Sequence, residues 1–182
     1  MRTIVQALRQ TGRLRNSIIL FTSDNGYLWG EHRWTGKIVP YEESIRVPYV
    51  VRYDRWTAVP REDPRQVLNV DIAPTFAQMA GADAPGVEGR SLTPLLDGSA
   101  TSWRHAFLIE HAGRKVPAYC GAHTRKYLYV KYSTGEEELY DLRSDPYQLE
   151  NRAADPAYRA ALEDMRTRLR ALCQPPTPGV TP

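Results

Sequence analysis

Apolar positions change their spacing several times along the 182 residues. Ile4, Val5 and Leu8 recur at helical spacing and predict a helix over Thr3–Arg9, with Gly12 as its stop. The unbroken run Ile18, Ile19, Leu20, Phe21 predicts a buried strand over Ser17–Thr22. Continuous apolar character suits a parallel strand covered on both faces. VPYVVR, Val47–Arg52, predicts a second strand, and DIAPTFAQMA, Asp71–Ala80, a helix with Asp71 as N-cap and Gly81 as its close. Leu92–Leu96 reads as a helical turn. Beyond residue 100 the pattern becomes four short runs rich in Tyr and Val: His105–Glu110, Ala118–His123, Tyr127–Tyr132 and Glu138–Asp141, with a hairpin turn at Ser133–Glu137. Asp155-Pro156 opens a last helix. Its Tyr158, Leu162, Met165, Leu169 and Leu172 form one apolar stripe, suited to covering one face of the small sheet. The tail QPPTPGVTP cannot form regular structure and is expected to be disordered. These elements predict an α/β region over 1–100, a small α+β subdomain over 101–173 and a tail over 174–182.

Composition narrows the classes. Hydrophobic residues make up 42%, with 4 Trp and 11 Tyr, enough for a packed core. Net charge is +3, with 24 basic against 21 acidic residues and no lysine-rich block, which argues against a nucleic-acid partner. No apolar run approaches the roughly 18 residues that span a bilayer. The N-terminus lacks the apolar segment of a secretory leader, so the sequence gives no compartment. Cys120 and Cys173 form no zinc spacing; one disulfide and two separate thiols both remain open, with Cys120 suited to packing as a small apolar residue.

The first strand runs into FTSDNGYLWGEHRWTGK, Phe21–Lys37, and ligand sites of open α/β sheets lie beyond the carboxyl ends of strands. Asp24 and Asn25 are adjacent oxygen donors followed by Gly26, which suits a hard divalent cation. Asp-Asn-Gly is also an ordinary turn sequence, so these three residues do not choose between the two. His32 follows, able to donate a hydrogen bond or a proton. Lys37, after Gly36, would present a compact positive charge to a tetrahedral oxyanion; a solvated lysine is the commoner case. Tyr27, Trp29 and Trp34 would line a sugar or aryl pocket or pack the loop down.

The order of these signals is more specific than any one of them. SDNGYLWGEHRWTGK followed by PYEESIRVP resembles the sulfatase signature around its second metal-binding segment. NVDIAPTFAQMAG, Asn69–Gly81, resembles the family's helix after the central sheet. GRSLTPLLDG, Gly89–Gly98, resembles its next loop, and GEEELYDLRSDPYQLENRAADP, Gly135–Pro156, its C-terminal subdomain. The last third is similar to bacterial relatives of glucosamine-6-sulfatase. The resemblance implies the C-terminal part of an alkaline-phosphatase-like α/β sandwich, with a small antiparallel sheet packed by a helix. It implies a calcium ion held by two segments, with Asp24 and Asn25 supplying ligands from the later one, and a sulfate ester contacted by Lys37. His32 occupies a recurrent family position and is a second catalytic candidate. Glu42, Glu43 and Arg46 read as framework.

Sulfatases use a formylglycine nucleophile made within C-x-P-x-R, in the N-terminal half of the family, where an early Asp pair completes the metal site. Neither is present here; Cys173-Gln174-Pro175-Pro176-Thr177 lacks the arginine. The expectation is therefore a C-terminal portion that needs the missing N-terminal half of the catalytic domain and is inactive in isolation. A phosphoesterase or phosphonate hydrolase of the same superfamily is the alternative, with Asn25 leaning toward a sulfatase because many phosphoesterase-like members carry His there. A non-catalytic remnant or interaction module is a third reading.

Overall fold

The computed structural model describes residues 1–57 and 59–182. In chain order its elements are α1 (Arg2–Gln10), β1 (Ile19–Phe21), β2 (Leu28–Trp29), β3 (Thr35–Gly36), α2 (Glu42–Ile45), β4 (Val50–Arg52), α3 (Ile72–Ala80), α4 (Thr93–Leu96), β5 (Ala106–His111), β6 (Tyr119–Thr124), β7 (Tyr127–Tyr132), β8 (Glu137–Asp141) and α5 (Arg159–Leu172). They form two compact units: Met1–Asp24 with Val47–Trp103, and Asn25–Arg46 with Arg104–Pro182. This differs from the sequence division at residue 100 by moving 25–46 into the second unit. No helix among the described residues is long and apolar enough to cross a membrane.

In the first unit β1 pairs with β4 antiparallel, Ile19 opposite Arg52 and Phe21 opposite Val50. This corrects the parallel pairing expected for β1. An unbroken apolar run reports burial and carries no information on strand direction, which the connecting chain sets. Asp71 does precede α3, but its side chain makes no cap hydrogen bond to that helix. Fully buried, it accepts from the backbone N–H of Leu68 and of Arg90, both at 2.8 Å. Thr75 continues the stitching, donating to Asp71 O at 2.5 Å and accepting from Leu92 N–H at 2.9 Å. These bonds fix the 89–93 loop against α3. Gly89 lets it approach, since a Cβ there would lie 2.0 Å from Val70 O.

In the second unit β5–β6–β7–β8 form an antiparallel meander in sequence order. One face carries Cys120, Ala122, Tyr129 and Leu139, and α5 covers it with Leu162, Met165 and Leu169, the stripe read from the sequence. The other face carries Tyr119, Leu128, Val130 and Tyr140, with Tyr41 packed against it. Both faces of β6 and β7 are thus covered.

Two residues of the 174–182 segment, Thr177 and Val180, are buried. Val180 is 5% exposed and belongs to the α5-side core, and Thr177 donates to the Glu110 carboxylate at 2.8 Å. Cys120 and Cys173 are disulfide-bonded, which settles the alternative left open above. Cys173 is fully buried, so the C-x-P-x-T run is a structural anchor.

The edge strand β8 is held to α5 by charge. Glu137 accepts from Tyr129 OH at 2.6 Å, from Lys131 Nζ at 3.3 Å and from the Arg166 guanidinium. Burial alone would raise its carboxyl; the bonds from Arg166, Tyr129 and Lys131 outweigh burial and hold it down at about 2, from 4.5. A depressed carboxylate stabilises the fold above its unfolded pKa and loses that contribution as pH falls through its folded one. Glu137→Gln is expected to cost about 2 kcal/mol at pH 7, after discounting for solvent screening, and nothing near pH 2. Urea unfolding of both proteins between pH 7 and pH 2 checks this; an equal gap at both ends would sink the account.

Candidate sulfate-ester site

Asp24 closes the first unit. Asn69 Nδ2 donates to the carbonyls of Ser23 at 2.9 Å and Asp24 at 3.0 Å, fixing this strand end. The exposed Asp24 carboxylate accepts from Ser23 Oγ at 3.2 Å.

Asn25 opens the second unit, and its loop is a built object. Gly26 N–H donates to Ser44 O at 2.9 Å, and a Cβ on Gly26 would lie 2.1 Å from Glu43 O, so only glycine allows the two backbones to meet. From there β2 and β3 pair antiparallel, Leu28 opposite Gly36 and Trp29 opposite Thr35. Leu28 is fully buried and roots the ribbon. Trp29 N–H donates to Glu31 Oε2 at 2.5 Å, and Gly30 N–H to Trp34 O at 3.0 Å, closing the tip. Backbone N–H groups of Glu31 and Trp29 hold the Glu31 carboxyl below its ordinary value.

The ribbon brings Lys37 back beside Asn25. Lys37 Nζ donates to Asn25 Oδ1 at 2.7 Å, while Asn25 Nδ2 donates to Gly26 O at 2.7 Å. Two of the residues singled out in the sequence, twelve positions apart, are thus in direct contact. His32 is placed differently. Its ring stacks on Tyr41 with centroids 3.8 Å apart and planes within 9°, its Nε2 lies 3.7 Å from Glu43 Oε2, and its side chain is 11% exposed.

Several residues that support this loop were not legible in the sequence as site residues. Glu42, read as framework, has its Oε1 2.7 Å from His123 Nε2, and its backbone N–H donates to Gln148 Oε1 at 2.7 Å. Burial would raise the Glu42 carboxyl, but His123 and Arg46 pull it below the ordinary range. Tyr41 OH donates to Glu138 at 3.4 Å; burial and that carboxylate push the phenol up to about 12. These partners lie 81 to 106 residues from the loop, beyond any local pattern.

The donor set bears on a metal in a limited way. The Asn25 carbonyl oxygen already faces a cation, the Lys37 ammonium, so its surroundings suit positive charge. Asp24 and Asn25 are two donors where a hard divalent ion takes six to eight. Among the described residues no group of three or more His, Cys, Asp or Glu is placed to hold an ion. The residues fit as part of a coordination shell. A cleft of the first unit, about 800 Å³ and lined by Val51, Arg52, Asp54, Arg61 and Leu96 among others, contains none of the site residues singled out above.

Comparison with known proteins decides the family. The family model described as N-sulphoglucosamine sulphohydrolase, C-terminal, matches residues 30–175. The chain belongs to the sulfatase family. It is similar to an N-acetylglucosamine-6-O-sulfatase of Bacteroides thetaiotaomicron strain VPI-5482, 32% identical over 158 residues, covering 81% of this chain and 28% of that protein. Two solved structures share its architecture. One is a protein in complex with its substrate D-glucosamine-2-N,6-O-disulfate (TM-score 0.80, 28% identity, 93% of this chain and 36% of that one). The other is the phosphonate monoester hydrolase of Agrobacterium radiobacter (TM-score 0.82, 28% identity, 93% and 37%). The sulfatase chain therefore spans about a third of the length of these relatives. Its fold class is the α/β, alkaline-phosphatase-like one that the signature implied, and the match is to the family's C-terminal portion.

Proposed function

We propose that this chain supplies the leaving-group side of a sulfuric ester hydrolase. The Lys37–Asn25 contact carries the reading: a lysine ammonium is held by a neutral amide oxygen at the mouth of a fixed ribbon. A lysine ammonium is a compact charge-assisted donor suited to a sulfate oxygen. As the S–O bond to the alcohol breaks, negative charge grows on the leaving oxygen, and a donor already oriented there stabilises it without reorganisation. Asp24 and Asn25 are proposed as two ligands of a divalent ion, calcium by family resemblance, which would draw charge off the sulfate when bound. His32, stacked on Tyr41 and largely buried, is assigned to holding the loop in place. The nucleophile, a formylglycine by family resemblance, and the remaining metal ligands would come from residues other than these 182.

A sulfated sugar or aryl sulfate is the proposed substrate class. The names of the similar B. thetaiotaomicron protein and of the disulfate-bound structure support it. The phosphonate hydrolase neighbour supports a second reading, hydrolysis of a phosphate or phosphonate ester. The test compares 4-nitrophenyl sulfate, 4-nitrophenyl phosphate and phenylphosphonate esters with the 182-residue chain alone and with the chain extended by the segment that encodes the nucleophile. Sulfate turnover by the extended protein only is expected. Ordinary enzymatic turnover by the 182 residues alone would overturn the half-site reading, and a preference for phosphate or phosphonate would select the second one.

A further inference from the structure

The ribbon that carries Lys37 also carries two exposed aromatic rings. Trp29 is 80% exposed and Tyr27 is 42% exposed, with centroids 4.7 Å apart and planes inclined by 46°. Side chains alternate along a strand, and directly opposed residues of an antiparallel pair share a face. Leu28, fully buried, marks the inner face. Tyr27, Trp29, Thr35 and Lys37 are all exposed and fall on the outer one, because the register that pairs Leu28 with Gly36 sets Tyr27 opposite Lys37. Two rings and one ammonium thus lie on one rigid surface. The ribbon fixes that surface through the Trp29–Glu31 and Gly30–Trp34 bonds. Covering an exposed indole with an apolar surface is favourable, and on this ribbon that gain is left to a ligand.

We propose that Tyr27 and Trp29 form a ring-stacking subsite for the sugar that bears the ester, with Lys37 facing its sulfate. The inference rests on the proposed function for the role of Lys37, and otherwise on this geometry. A pyranose has an apolar C–H face and a polar rim. The inclined rings form a shallow trough that accepts a puckered ring face, and Thr35, Glu31 and Arg33 on the same exposed tip meet hydroxyls. A flat aryl group would stack on one ring only. Two rings are far smaller than a stable protein interface.

The test is binding to the 182-residue chain. The probes are N-acetylglucosamine 6-sulfate, unsulfated N-acetylglucosamine and 4-nitrophenyl sulfate, read by the Trp29 indole N–H resonance and by calorimetry. The sulfated sugar is expected to bind most tightly, and Trp29→Ala to weaken it about 10-fold, with Trp29→Phe recovering part of the loss. Lys37→Ala is expected to abolish the preference for the sulfated over the unsulfated sugar. Trp29 is exposed, so its variants are expected to fold, which circular dichroism verifies. Equal affinity in Trp29→Ala, a stronger response to 4-nitrophenyl sulfate than to the sugar sulfate, or no binding by the wild-type chain would each overturn the subsite. Trp29-dependent binding in a protein that hydrolyses only phosphate esters would sink the hydrolase reading and leave the subsite standing.

Discussion

Replacing Lys37 with alanine, in a catalytically complete protein carrying this chain, is expected to lower kcat for a sulfate ester by about 10²- to 10³-fold, or ~3–4 kcal/mol of transition-state stabilisation. The sign and size follow from the contact with Asn25. The ammonium is positioned before substrate arrives, with a 2.7 Å bond to Asn25 Oδ1, so it spends little on reorganisation. Its benefit grows as charge develops on the departing oxygen. The loss is therefore expected to be larger for an alkyl sulfate than for 4-nitrophenyl sulfate, whose leaving group tolerates negative charge without help. Lys37→Arg keeps the charge but spreads it over a planar fork that does not match the single Asn25 oxygen, and it is expected to recover only part of the activity. Steady-state kinetics on the two sulfates decides the matter. A rise in KM with kcat unchanged would confine Lys37 to ground-state binding. No change in either would remove it from the mechanism.

Breaking the bridge between Cys120 and Cys173 is expected to cost the second unit about 4 kcal/mol. The two residues are 53 positions apart, and a loop of that size loses that much closure entropy in the unfolded chain. In the folded unit both sulfurs lie in the core beneath α5, beside Met165, Leu169 and Val180. Their removal leaves the 174–182 segment held by little beyond the Thr177–Glu110 bond and the burial of Val180. The double variant Cys120→Ala/Cys173→Ala, and the wild type in reductant, are both expected to melt roughly 20 °C lower than the oxidised protein. Identical melting with and without reductant, together with two titratable thiols in denaturant, would show that the bridge does not form.

The parts of this chain that were legible in its sequence are those set by local periodicity. The stripe from Tyr158 to Leu172 needs only a 3.6-residue repeat to be seen, and it covers the sheet as read. The parts that were not legible depend on partners far along the chain. A proline-rich tail argues against regular structure but not against order, and what orders it are Cys120 and Glu110, 53 and 67 residues away. Asp71 looks like a helix cap because it precedes one; of its two donors Leu68 is local, but Arg90 arrives from a loop 19 residues later. The site divides in the same way. Lys37 and Asn25 were singled out in the sequence as candidates, but the ribbon that brings them together is built from two-residue strands, too short for alternation to register. The seating of His32 on Tyr41, and of Tyr41 on Glu138, needed the fold.

Residues 25–46 belong to the same compact unit as the four-stranded sheet, although 57 residues of the other unit separate them in sequence. The seams are the Glu42–His123 contact, the Glu42–Gln148 bond and the packing of Tyr41 beside Tyr140. For anyone recombining sulfatases, the obvious crossover near residue 104 would pair a borrowed sheet with a resident ribbon and break all three. A graft that exchanges 25–46 and 104–182 together keeps His123, Gln148 and Glu138 with the loop they hold. It transfers Tyr27, Trp29 and Lys37 as one cassette. A single breakpoint between residues 46 and 104 separates the two segments, whereas one upstream of residue 25 keeps them together, so the lysine loop and the distal sheet are expected to be inherited in step.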